Sequence, residues 1–85
     1  MVIAICGVIN VRNQELINAL GSRIKALRKD KQLSMEKLAE LAGIDYRQVS
    51  YLEHGKTNAT ISTLHSICKA LDMTLSDLFD SSTLK

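Results

Sequence analysis

The chain is 85 residues long, with two tyrosines, one phenylalanine, no tryptophan, no proline and four glycines. That length suits one small domain, near the lower limit for an independent core, and the core must be aliphatic. A net charge of +2 is too mild to argue for a nucleic-acid partner by itself. Composition therefore goes no further than a small, mostly helical domain.

The first eleven residues, M-V-I-A-I-C-G-V-I-N-V, are apolar and β-branched. They are too short to span a bilayer and lack the basic start of a signal peptide. They read as an arm over residues 1–11. A strand pairing with the same strand of a second copy is one expectation; the alternatives are an arm packed on its own domain or an artefact of where translation starts. Cys6 lies in this run. Its distance from Cys68 matches no metal or redox spacing, and nothing demands an oxidising compartment, so a cytoplasmic protein is expected.

A first helix is predicted from about Asn13 to Asp30, with Leu16, Leu20, Ile24 and Leu27 as its apolar stripe. Gly21 inside it weakens the helix slightly. Ser34 is placed to cap a second helix carrying Leu38, Ala39 and Ala42. The stripe breaks at Gly43-Ile44-Asp45 and restarts with Val49 and Leu52. Glycine supplies the left-handed turn, Asp45 is a good N-cap, and Gln48 three residues on completes a capping-box pattern. Two short helices meeting at a steep angle, with small Ala39 at the crossing, make a helix-turn-helix. The outer face of its second helix is polar and suits a DNA groove.

Beyond the polar loop Lys56-Thr57-Asn58, Thr60 is expected to cap a fourth helix burying Ile61, Leu64, Ile67, Cys68 and Leu71. Thr74 and Asp77 repeat the capping-box spacing and open a last short helix with Leu75, Leu78 and Phe79. Residues 81–85 read as a frayed tail. The expected domain thus runs over residues 12–80. Charge is unevenly spread along it. From Leu20 to Asn58 there are eight Lys and Arg against five acids, whereas Ala59 to Lys85 holds two against three, so the basic excess surrounds the helix-turn-helix.

Three segments in this order and spacing carry a family resemblance: L-A-E-L-A-G-I at Leu38–Ile44, V-S-Y-L-E-H-G-K at Val49–Lys56, and A-L-D-M-T-L-S-D-L-F at Ala70–Phe79. Over Leu20 to Phe79 the chain resembles the Cro/CI-type (XRE family) helix-turn-helix regulators. The resemblance implies an all-α, five-helix, lambda-repressor-like domain, here with an apolar N-terminal arm added. It implies base reading by Tyr46, Arg47, Gln48, Ser50 and Tyr51, with Gln48 and Ser50 placed where either a base or a phosphate is reached. It implies phosphate contacts by Ser34, Lys56, Thr57 and Asn58, and a structural ion pair between Arg28 and Glu53. Met35 departs from the family, where many members have a glutamine that touches the DNA backbone. Ala59 stands where many have proline.

Chemistry supports the strongest of these assignments. An arginine fork matches O6 and N7 of guanine, the commonest specific major-groove contact, which makes Arg47 the leading candidate. Tyr46 and Tyr51 suit phosphates or thymine methyls; the alternative for both is partial burial against neighbouring helices, more so for Tyr51, which abuts Leu52. His54 and His65 are too isolated for a metal site. No nucleophile–base pairing, glycine-rich phosphate loop or C-x-x-C is present, so the chain reads as a non-enzyme without cofactor or small-molecule ligand. The expected function is a sequence-specific transcriptional regulator, repressor-like, that binds double-stranded DNA as a homodimer on a palindromic operator, away from membranes. A protein-interaction module, antitoxin-like or adaptor, that has kept the fold without DNA is the alternative.

Overall fold

The computed structural model describes residues 13–80. The N-terminal arm with Cys6, and the tail over residues 81–85, lie outside them. Five helices follow in order: α1 (Gln14–Asp30), α2 (Met35–Ala42), α3 (Tyr46–Glu53), α4 (Ile61–Ala70) and α5 (Leu75–Leu78).

Each helix begins on a short polar side chain that accepts an orphan backbone N–H, as Asn13, Ser34, Asp45, Thr60 and Thr74 do for α1 to α5 in turn. The reciprocal capping box forms at Thr74 and Asp77. The one expected at Asp45 and Gln48 does not match the structure. Asp45 instead accepts the amide of Arg47 at 2.8 Å, and the amide of Gln48 goes to the Asp45 carbonyl. Between α2 and α3, Gly43 adopts a φ of 73°, a left-handed conformation that a side chain would strain.

Leu20, Ile24, Leu38, Ala39, Val49, Leu52, Leu64, Ile67, Cys68, Leu71 and Leu78 form one core. Every member is aliphatic or a small thiol, so packing depends on shape alone, and each larger side chain contributes about 1.5–3 kcal/mol by leaving water. Cys68 is a free, buried thiol. Burial, with a smaller influence from Asp77, pushes its titration upward and keeps it protonated at neutral pH.

Two expected core positions, Leu16 and Ile61, are corrected by the structure. Leu16 is exposed, and Ile17 is buried in its place. The buried face of α1 consists of Ile17, Leu20, Gly21, Ile24 and Arg28, which turns the helix away from the simple leucine stripe. The cause is Gly21. A Cβ there would come within 2.2 Å of the Leu52 carbonyl, so α1 lies directly against the backbone of α3 at this point. Ile61 is 65% exposed although it stands three residues before the buried Leu64. Phe79 ends α5 exposed as well.

Met35 and Ala59 are half-buried and pack against the core. The two departures from the family pattern therefore sit where apolar side chains are useful to the scaffold.

Candidate nucleic-acid interface

Helix α3 presents two opposite faces because its apolar side chains are spaced three apart. Val49 and Leu52 are buried, and the intervening turn leaves Tyr46, Arg47, Gln48 and Tyr51 exposed. Tyr51 is 49% exposed, which decides against a core role. Ser50 is half-buried, and its carbonyl lies 2.7 Å from Nδ1 of His54. A carbonyl can only accept, so that ring nitrogen carries the proton. Of the five residues assigned to base reading, Ser50 is thus the one set back from the surface.

Arg47 keeps 74% of its side chain exposed. Its guanidinium turns toward Asp45, with Nε 3.4 Å from Oδ1 and Nη2 3.3 Å from Oδ2. These bonds hold the Asp45 carboxyl below its usual range, the Arg47 side chain being the first cause. They also raise Arg47, which stays charged under all ordinary conditions.

The residues assigned to phosphate contact fall on either side of α3. Ser34 accepts the Lys37 amide as the N-cap of α2, and its hydroxyl proton remains available to donate. Lys56 is exposed, and its amide donates to the Tyr51 carbonyl, which fixes the loop to the end of α3. Thr57 and Asn58 line a cleft of about 280 Å³ together with Gln48 and Tyr51. Thr60, expected only as a helix cap, and Thr63 also line it, and the sequence assigned neither to the interface. The cue was a run of hydroxyl side chains immediately after the loop.

Behind this surface, Arg28 and Glu53 meet through two hydrogen bonds, Nε to Oε2 at 2.6 Å and Nη2 to Oε1 at 3.0 Å. Nη1 of Arg28 donates to the Leu33 carbonyl at 2.7 Å. The Glu53 bonds raise Arg28 further above its high ordinary value. One guanidinium therefore ties α1, the α1–α2 turn and the end of α3. Gln14 adds a clamp from the start of α1, donating to the Gly55 carbonyl at 2.8 Å.

Among the described residues no group of histidine, cysteine or acidic side chains could hold a metal, and no helix is long and apolar enough to cross a membrane. Two short helices joined at a left-handed glycine, the second bare and polar on its outer face, define a helix-turn-helix module.

Residues 23–83 match the family described as the Cro/C1-type HTH DNA-binding domain. The chain belongs to that family. It is 40% identical over 60 residues to the control protein C.MunI of Mycoplasma sp, a match covering 69% of this chain and 81% of that protein. Its fold is similar to the restriction-modification controller C.AhdI of Aeromonas hydrophila, with a TM-score of 0.73, 35% identity, and 74% and 96% of the two chains covered. It is also similar to the controller C.Esp1396I, solved as a tetramer in complex with its natural 35 base-pair operator. That match has a TM-score of 0.73, 29% identity, and 78% and 87% of the two chains covered. Some relatives are much longer, and the chain spans 33% of one regulator and 45% of a phage immunity repressor.

Proposed function

We propose that this protein is a sequence-specific DNA-binding transcriptional regulator, repressor-like, that acts in the cytoplasm as a homodimer on a palindromic operator. In this reading α3 enters the major groove. Arg47 reads a guanine edge, Tyr46, Gln48, Ser50 and Tyr51 contact neighbouring bases, and Ser34, Lys56, Thr57 and Asn58 hold phosphates. Two such helices would occupy half-sites with centres about 34 Å apart. The observation that carries the reading is the exposure of Arg47 on a helix whose opposite face is locked into the core. The operator complex of the similar controller C.Esp1396I supports DNA as the partner class.

The test separates base readers from phosphate holders. Arg47→Ala is expected to cost about 1–3 kcal/mol on the selected operator and to relax preference at one base pair. Lys56→Ala should weaken binding to all sequences alike and lower the salt slope by about one unit. Equal losses for Arg47→Ala on operator and random DNA would overturn its role. Absence of any shift with a random pool would favour a protein-interaction module.

A further inference from the structure

Asp45 does more in this structure than begin a helix. Its Oδ1 accepts the Arg47 amide at 2.8 Å, which satisfies one orphan donor of α3. Both carboxylate oxygens also face the same edge of the Arg47 guanidinium, Oδ1 toward Nε and Oδ2 toward Nη2. A guanidinium has five N–H groups in a rigid plane. Engaging the Nε–Nη2 edge leaves both hydrogens of Nη1 and the second hydrogen of Nη2 pointing outward. Those remaining donors form a fork of the kind that reaches O6 and N7 of guanine. Tyr51 stands one helical turn further along from Arg47 on the same exposed face. The arginine is thus held from its own helix start while its outer end stays free.

We infer that Asp45 is a positioning residue for base-pair specificity: its carboxylate fixes the plane of the Arg47 guanidinium, so that the free fork is presented to one base pair. The inference rests on the reading that Arg47 reads a base edge. An unrestrained arginine on an exposed helix can swing to a phosphate, a contact that carries no sequence information. A carboxylate that occupies one edge of the plane keeps the direction of the other edge. Pre-ordering of this kind lowers the entropy lost when the fork docks.

The capping and positioning roles are separable by substitution. Serine at position 45 caps as well as aspartate but brings no second oxygen to the guanidinium. Four forms of the full chain (wild type, Asp45→Ser, Arg47→Ala and the double variant) are each used to select binding sites from a random duplex pool, and their melting is recorded. Asp45→Ser is expected to melt near the wild type. It should lose about tenfold of the preference at the base pair that Arg47→Ala identifies, within the range of one bidentate contact. In the Arg47→Ala background the same change should alter that preference no further. Wild-type preference in Asp45→Ser would overturn the inference and leave the Arg47 assignment standing, as would an equal loss in both backgrounds. If Arg47→Ala itself changes no position, base reading by Arg47 fails and this inference fails with it.

Discussion

Helix α3 carries an arginine–carboxylate pair at each end, and the two pairs could hardly differ more. At its C-terminal end Glu53 meets Arg28 with side-chain exposures of 2% and 9%. At its N-terminal end Asp45 meets Arg47 with exposures of 49% and 74%. The chemical groups are the same, yet one pair is shut inside a seam of three chain segments and the other stands in water. Buried ion pairs are costly to form and costlier to break, whereas exposed pairs add little to stability. The first therefore fixes where α3 lies, and the second is free to affect what α3 touches.

Breaking the buried pair should give the largest effect. Glu53→Ala is expected to destabilise the domain by about 3–5 kcal/mol, read from urea unfolding, because it strands the Arg28 charge. Replacing both partners, as in Arg28→Met with Glu53→Met, should recover much of that loss. If Glu53→Ala melted like the wild type, the contrast between the two ends of α3 would disappear.

The seam that encloses the pair is the next place to press. Gly21→Ala puts a methyl group against the Leu52 carbonyl, and α1 must move away from α3. A loss of about 1–3 kcal/mol is expected from this overpacking. The Arg28–Glu53 pair should become more open to water, with faster exchange of nearby amides as the readout.

At the exposed end the cap matters more than the ion pair. Asp45→Ala should cost about 1 kcal/mol by leaving the Arg47 amide without its acceptor. Arg47→Ala leaves the cap in place, and its effect on folding should stay within about 0.5 kcal/mol.

The smallest effect is a titration. The Asp45 carboxyl is lowered in the folded chain, so its contribution to stability is present above the ordinary aspartate range. It is lost as pH falls through the lower folded value, because the unfolded chain binds the proton first. In Arg47→Ala the Asp45 carboxyl should titrate closer to its ordinary range, as NMR would report. An unchanged titration would show that the guanidinium has no hold on the carboxylate.

Much of this architecture was legible in the order of residues. Four of the five helices begin on caps read from the chain, Ser34, Asp45, Thr60 and Thr74, because a short polar side chain before a helical run has few other backbone partners; the Asn13 cap of α1 was found only in the structure. Arg28 and Glu53 were paired only through the family resemblance, since nothing local links positions 25 apart. Spacing misled at Leu16 and Ile61, where a residue continues the stripe and yet has no neighbour to cover it. It also misled at Gln48, because Asp45 found a nearer donor in Arg47.

The sequence by itself determined where helices start and stop, which face of α3 is apolar, and which polar side chains remain on the other. These depend on interactions within a few residues, and local chemistry is enough to decide them. Tertiary structure alone decided the rotation of α1, the need for Gly21, the closure of the Arg28–Glu53 seam and the exposure of Leu16, Ile61 and Phe79. Each of those turns on how closely two distant backbones approach, a distance that no local pattern encodes.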